Sequence, residues 1–449
     1  MLMSDTIAAI ATANGVGSIS ILRLSGERSY EIALKLTQKS QLQPRYATLT
    51  SLYHQDGTLI DEAIVIYFQA PRSFTGEEIV EFQCHGGYVV GESLLRALLS
   101  MGVRLAEPGE FSKRAFLNGR LDLTQAEATA ALIEAKSDDA ARILARQMKG
   151  ELRGYIEGIR DSLLEILAYS EVVIDYAEED LPQDIVEQIE LKLGKIKATL
   201  SKTLESSRRR RGFMQGFRVA IIGKPNVGKS SLLNALLDYE RAIVSDIAGT
   251  TRDTIEEQVR IGTHLIRLVD TAGIRNASDE IERIGIERSI AAIENADVVI
   301  ALFDASRPID DEDRAIIDLI GRYCDKKPFI SLLNKSDLPP SFDSTVIEHY
   351  NPIPLSCKQD TQVLIDLLST MMDHENDGEE MMLISQRQIS VTENALRAID
   401  EAYEPLRDGE LEFFSFHINV AIRAIASISR PYELDEMFDK MFGQFCLGK

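Results

Sequence analysis

From Phe217 to Leu237 an apolar run, a glycine-punctuated octapeptide and a second apolar run follow one another without a gap. Phe217-Arg218-Val219-Ala220-Ile221-Ile222 has the composition of a buried strand, and Ser231-Leu232-Leu233-Asn234-Ala235-Leu236-Leu237 that of a helix. Between them stands Gly223-Lys224-Pro225-Asn226-Val227-Gly228-Lys229-Ser230, the GxxxxGK[ST] phosphate loop in the strand–loop–helix setting it requires. Gly223 and Gly228 let the backbone curl, so that the N–H groups around Asn226, Val227 and Ser231 face phosphate oxygens at a helix N-terminus. Lys229 brings a point charge for the β and γ oxygens, and the Ser230 hydroxyl is a ligand for Mg2+. A chance glycine-rich turn would lack both flanks. This stretch therefore predicts a parallel α/β sheet and a nucleotide ligand.

Three later segments narrow the nucleotide. Leu265-Ile266-Arg267-Leu268-Val269 reads as a strand ending in Asp270-Thr271-Ala272-Gly273, where Asp270 can hold the metal through water and the Gly273 N–H can sense the γ-phosphate. Phe329-Ile330-Ser331-Leu332-Leu333 leads into Asn334-Lys335-Ser336-Asp337. A carboxylate at Asp337 accepts from N1–H and the exocyclic amine of guanine, and adenine offers neither donor there, so the pairing selects GTP over ATP. Lys335 can lay its stem across the base. Ser356-Cys357-Lys358, after another strand, can present a backbone N–H to the guanine O6. Hydrolysis poses a separate problem. Residue 274 is isoleucine, where many small GTPases carry a water-orienting glutamine, so another group must place the water and another charge must meet the transition state. Thr251, in Ser245-Asp246-Ile247-Ala248-Gly249-Thr250-Thr251-Arg252-Asp253, is the expected second Mg2+ hydroxyl. Glu282 stands in the segment expected to move with the γ-phosphate, although by position alone it also reads as part of a solvated helix face.

The remainder of the chain bounds what surrounds this domain. At 449 residues there is room for two to four domains of roughly 100–200 residues each. A 45% hydrophobic content argues against disorder. No uninterrupted apolar run approaches the roughly 18–20 residues that cross a bilayer, and the N-terminus lacks a secretory pattern, so a cytoplasmic protein with no membrane contact is expected. Four scattered cysteines, Cys84, Cys324, Cys357 and Cys446, form no CxxC pair and argue against a disulfide framework or structural zinc. A formal charge of −22 repels polyanions overall, so nucleic acid would need a local basic surface. The run Arg208-Arg209-Arg210-Arg211 is one such contact or a solvated hinge. Residues 18–24 and 63–68 read as strands in a mixed α/β region, and residues 124–204 as helical with an interruption near Pro182. Strand and helix patterns alternate over 217–372, a polar stretch spans 373–380, and helical texture resumes at Met381.

Almost end to end, the chain resembles the bacterial tRNA-modification GTPases of the MnmE (TrmE) family. The resemblance rests on residues 223–230, on 245–253, on Asp270–Gly273 followed by Ile274, and on Glu282-Arg283-Ile284-Gly285-Ile286-Glu287-Arg288. It rests also on Ser73-Phe74-Thr75-Gly76-Glu77, His85-Gly86-Gly87, Pro108-Gly109-Glu110-Phe111-Ser112 and the tail Phe445-Cys446-Leu447-Gly448-Lys449. It implies a multidomain α/β and α fold. Residues 1–119 would form an α+β folate-binding-like and dimerisation domain, 120–214 and 374–449 a discontinuous helical domain, and 215–373 an inserted P-loop G domain. It implies that K+, held by the Asn226 side chain and the carbonyls of Ser245, Ile247 and Thr250, takes the place of an arginine finger when two G domains meet. Glu282 would orient the attacking water, with Arg252 and Asp253 as supporting switch residues.

The same resemblance implies a homodimer joined to an FAD-containing protein of the MnmG (GidA) family in a heterotetramer or larger complex, with FAD and NADH on that partner. The pair would add an aminomethyl or carboxymethylaminomethyl group to C5 of the wobble uridine of tRNA. The one-carbon unit would come from 5-formyl- or methylene-tetrahydrofolate, held by Arg23, Glu81, Arg120 and Lys449. The residues lend Arg23 separate support, because in a period-two strand it shares a face with Ile19 and Ile21. A folate's glutamate tail or an internal carboxylate would each satisfy that charge. Cys446 reads either as a catalytic thiol or as a packed one that positions Lys449. A regulatory or ribosome-assembly GTPase that binds RNA without modifying it would use the same nucleotide motifs.

Overall fold

The computed structural model describes residues 5–13, 15, 17–135, 137–175, 184–209, 216–241, 256–262, 264–270, 290, 292–323, 327–374, 381–430 and 448. They divide into two compact units, one of Met1–Ile133, Ala145–Lys197 and Ser390–Lys449, the other of Glu134–Leu144 and Ala198–Ile389.

The first unit opens with β1 (Ile7–Ile10), β2 (Ile19–Ser25), α1 (Ser29–Thr37), β3 (Thr48–Tyr53), β4 (Leu59–Phe68), β5 (Ile79–His85), α2 (Tyr88–Ser100), β6 (Arg104–Leu105) and α3 (Glu110–Leu117). The strands form a sheet of order β3-β4-β5-β2-β1-β6, antiparallel except where β6 runs parallel to β1. Period-two alternation sets its faces. Leu22 and Leu24 join Val65 and Phe82 on one side, under Ile32 and Leu36 of α1 and Leu94 and Leu98 of α2. On β1 the alternate residues Ile7 and Ala9 pack with Phe111 and Phe74 instead. The two strands expected at 18–24 and 63–68 are β2 and β4.

The helical stretch expected over 124–204 is four helices: α4 (Leu123–Glu134), α5 (Asp138–Met148), α6 (Glu151–Asp175) and α7 (Asp184–Arg209). Gly150, at a φ of 89°, supplies the turn between α5 and α6. Pro182 lies outside the described residues.

The second unit carries β7 (Phe217–Ile222), α8 (Lys229–Arg241), β8 (Glu256–Ile261), β9 (His264–Asp270), β10 (Val298–Asp304), α9 (Asp311–Tyr323), β11 (Phe329–Asn334), β12 (Ile353–Pro354) and α10 (Gln362–His374). Its sheet runs β12-β11-β10-β7-β9-β8, parallel save for β8, which pairs antiparallel with β9. Because both faces are covered, the central strands are mostly apolar, β10 without a break from Val298 to Phe303. Val219, Ile221, Ile300 and Leu302 pack with Leu232 and Leu236 of α8 and Leu364 and Leu368 of α10. Ala220, Ile222, Ala301 and Phe303 pack with Leu319 and Ile320 of α9. The first half of α5 belongs to this unit: Ile143 packs on the same apolar cluster as α8 and α10, Asp138 pairs with Arg260 at 2.7 Å, and Asp139 approaches His264 at 3.3 Å.

The chain continues into α11 (Gln386–Asp408) and α12 (Leu411–Ser429). By length and composition α12 is apolar enough to cross a membrane. Glu412, His417 and Arg423 nevertheless interrupt its sequence, and Phe414, Ile418, Ala421, Ile425 and Ile428 are buried in protein. Within the first unit it packs along α6, where the Ser170 and Ser415 hydroxyls meet at 3.0 Å. It is a core helix.

Candidate functional site

Four parallel strands of the second sheet, β9, β7, β10 and β11, deliver Asp270, Gly223, Asp304 and Asn334 to one edge, where ligands of open α/β sheets bind. The chain turns there because two glycines permit close approach. A Cβ on Gly223 would stand 2.5 Å from the Leu302 carbonyl oxygen, and one on Gly228 would stand 2.2 Å from Asn334 Nδ2. Asn226, between them, takes a φ of 64°, which asparagine tolerates better than most residues. Val227 is buried and forms the floor of the loop. Lys229 Nζ donates to the carbonyls of Gly223 at 2.6 Å and Lys224 at 2.9 Å, which folds the ammonium over its own loop. Ser230 and Ser231 stand exposed in the first turn of α8.

Asn334 ties the three nucleotide motifs together. Its amide donates to the Val227 carbonyl at 2.7 Å, and its Oδ1 accepts the Cys357 N–H at 3.1 Å. Asn334 thereby holds the Ser356-Cys357-Lys358 segment, expected to present a backbone N–H to the guanine O6, against the phosphate loop. Lys335 spans the same gap, with Nζ bonded to the Asn226 carbonyl at 3.0 Å and to Asp304 Oδ2 at 2.5 Å. Burial pushes the Asp304 carboxyl up, but hydrogen bonds from Lys335 and Ser306 outweigh it and hold the group below the ordinary aspartate value. Ser356 Oγ donates to Asp337 Oδ1 at 2.8 Å, which orients the carboxylate that would read the base.

Of the other residues singled out from sequence, Asp270 closes β9 in register with Ile221 of β7, two residues before Gly223. Ser245, Ile247, Thr250, Thr251, Arg252, Asp253, Thr271, Ala272, Gly273, Glu282, Cys446 and Lys449 lie outside the described residues. Sequence reasoning passed over Asp304, Lys224, Asp310 and Asp313. The signal for Asp304 was available: Val298–Phe303 is an apolar run that ends on a carboxylate, as the run before Asp270 does. Lys224 Nζ reaches Asp310 at 2.5 Å and Asp313 at 2.6 Å, with the lysine and Asp313 both buried.

Comparison with known proteins bears on the whole chain. The MnmE helical domain matches residues 123–446, and the GTP-binding protein TrmE N-terminus matches residues 6–120. The tRNA modification GTPase MnmE of Sulfurimonas denitrificans is 63% identical over all of both chains. That of Sulfurovum sp. is 59% identical over all of this chain and 99% of its own. The chain belongs to the MnmE family of tRNA-modification GTPases. Among solved structures, Era in complex with MgGDPNP and nucleotides 1506–1542 of 16S ribosomal RNA is 28% identical over 40% of this chain and 66% of that one, with a TM-score of 0.28.

The MnmE-like N-terminal region gathers a second set of sequence-singled residues. Arg23 on β2 and Glu81 on β5 are register partners, with Arg23 Nε 2.9 Å from Glu81 Oε1. The internal carboxylate, one of the two partners that the sequence left open for Arg23, is thus supplied by the fold. The Arg23 guanidinium also lies 5.5 Å from the Phe74 ring and 5.7 Å from that of Phe111. Its Nη1 donates to the Gly448 carbonyl at 3.5 Å, which brings the residue before Lys449 to this face. Gly448 fits closely, since a Cβ there would stand 2.7 Å from the Ile10 carbonyl oxygen. Arg120 is one step away, donating to the Ser73 carbonyl at 3.1 Å. Two thiols are chemically quiet: burial pushes Cys84 up to about 12 and Cys357 up to about 11, far from the thiolate form at neutral pH.

Proposed function

We propose that this chain is the GTP-hydrolysing subunit of a complex that modifies C5 of the wobble uridine of tRNA, adding an aminomethyl or carboxymethylaminomethyl group. The observation that carries this reading is the stapling of phosphate loop and base-recognition motifs by Asn334, within a chain that matches MnmE proteins over its full length. In this reading residues 215–373 form the G domain, 120–214 with 374–449 the helical domain, and 1–119 the folate-binding and dimerisation domain. The loop N–H groups and Lys229 hold the triphosphate, and Asp337, oriented by Ser356, selects guanine.

Among the described residues no group of three or more His, Cys, Asp or Glu could hold a metal ion. The cation sites proposed here draw instead on neutral oxygens and on the nucleotide. Ser230 and Thr251 would hold Mg2+ together with phosphate oxygens. The Asn226 amide and the carbonyls of Ser245, Ile247 and Thr250 make an uncharged oxygen set suited to a weakly hydrated monovalent ion, K+. Bound there, K+ would offset the charge that develops in phosphoryl transfer. Glu282 orients the water, Arg252 and Asp253 support the switch, and the G domains of a homodimer meet to complete the site. Arg23, Glu81, Arg120 and Lys449 hold a tetrahydrofolate one-carbon donor. An FAD-containing MnmG-type partner supplies the redox chemistry in the cytoplasm.

GTP turnover measured in KCl and in NaCl tests the ion directly. The expected result is turnover at least about tenfold faster in K+, a gain that Asn226→Ala abolishes. Equal rates in the two salts would remove K+ from the proposal. Mass spectrometry of wobble nucleosides in tRNA from cells lacking the protein tests the modification, and an unchanged nucleoside profile would overturn it.

A further inference from the structure

The phosphate loop contains a second lysine, whose side chain is buried against two carboxylates at the start of α9. Lys224 Nζ lies 2.5 Å from Asp310 Oδ2 and 2.6 Å from Asp313 Oδ2, with its side chain 7% exposed and that of Asp313 2%. The two aspartates are themselves locked at the start of α9. The Asp313 N–H donates to Asp310 Oδ1 at 3.1 Å, and the Asp310 N–H donates to Asp313 Oδ2 at 3.2 Å. This reciprocal capping fixes both carboxylates before the lysine arrives. At its other end Lys224 presents the carbonyl that accepts from Lys229 Nζ at 2.9 Å. The residue therefore connects a rigid helix start to the ammonium that faces the β and γ phosphates.

We infer that Lys224 is a positioning residue for GTP hydrolysis, which holds the phosphate loop and Lys229 in place through its buried ion pairs with Asp310 and Asp313. The inference rests on the loop's holding GTP, which wild-type GTP turnover tests on its own. Burial disfavours the Lys224 ammonium, yet the two carboxylates outweigh it and keep the lysine charged. One cation facing two carboxylates leaves a negative excess, which the N-terminus of α9 offsets. A neutral residue at 224 would leave Asp313 buried and uncompensated, so lost stability and lost positioning must be separated.

The double variant separates them. Lys224→Met should raise KM for GTP about tenfold, lower kcat less, and lower the unfolding temperature. Lys224→Met combined with Asp313→Asn removes the stranded charge, so the unfolding temperature should largely recover while KM stays high. Asp310→Asn, at a half-exposed position, removes one acceptor without touching the core and should raise KM about threefold at an unchanged unfolding temperature. A Lys224→Met enzyme with wild-type KM would overturn the inference. So would a double variant whose KM recovers together with its stability, or an Asp310→Asn enzyme with unaltered KM.

Discussion

Asn334 shows how one side chain of a motif can join segments that lie far apart in the sequence. In the Asn-Lys-Ser-Asp pattern Asp337 points to the base, and the Asn334 amide bonds at both of its ends to protein, the Val227 carbonyl and the Cys357 N–H. Gly228 leaves the space for it, since a Cβ there would reach 2.2 Å from Nδ2 at a φ of 108°. Gly228→Ala should therefore displace Asn334 and unpair two backbone groups, at a cost of roughly 1–3 kcal/mol for each group left buried. The expected outcome is GTP affinity reduced at least about tenfold, with a lower urea midpoint, by equilibrium binding and chemical denaturation. Affinity within twofold of wild type would show that the staple is dispensable. Motif residues are legible in a sequence because their spacing is local. Lys224 and its carboxylates were not, because 86 and 89 residues separate the partners and no local pattern couples them.

Elements were legible in proportion to their periodicity. β2 and β4 alternate cleanly and were expected, whereas β1, with the sequence Ile-Ala-Ala-Ile, offers weak strand preference and is held by its pairing with β2 and β6. The breaks between α4, α5 and α6 were hidden by a continuous Ala- and Leu-rich texture. α3 was missed for a different reason: what fixes it is charge. Arg114, 2% exposed, reaches Asp5 at 2.7 Å, Glu110 at 2.9 Å and Glu77 at 3.2 Å, and Arg104 adds a second contact to Glu110. Burial pushes Glu110 up, but bonds from Arg104, the Glu107 N–H and Arg114 hold it below its ordinary value of 4.5. Asp5 shows the same balance below 3.8. Depressed carboxylates contribute stability that is complete above their ordinary values and is lost as pH falls through the depressed ones. The first unit should thus weaken progressively below about pH 4.5. Arg114→Met should cost roughly 3–5 kcal/mol at pH 7 and flatten that acid slope, because the carboxylates lose the partner that depressed them. Urea midpoints from pH 7 to pH 3.5 check both, and an unaltered slope in the variant would remove the network from acid lability.

On the scale of the whole molecule, contacts divide the chain differently from its texture. Residues 134–144 read as helix, and the part from Asp138 on is the start of α5, but its side chains belong with the α/β unit: Ile143 packs on its apolar cluster, Asp138 holds Arg260, and Asp139 with His264 is buried beside the β8–β9 hairpin. Periodicity specifies an element and not its partner, so a segment nearly 80 residues before the phosphate loop could not be assigned from sequence alone. Two compact units with separate cores should unfold as separable transitions in calorimetry. A nucleotide that binds only the folded α/β unit should raise only one of them. With GDP and Mg2+ at about a hundredfold over the dissociation constant the gain is about 2.7 kcal/mol, or roughly 5–10 °C for a unit of this size. Ile143→Ala, which deletes a partly buried aliphatic group, should lower that same transition by a few degrees, for a loss of about 1–2 kcal/mol. The nucleotide thereby identifies the transition and the substitution asks which core α5 serves. If Ile143→Ala moved the transition that GDP leaves alone, or if one cooperative transition responded to both, the assignment of residues 134–144 to the nucleotide-binding unit would fail.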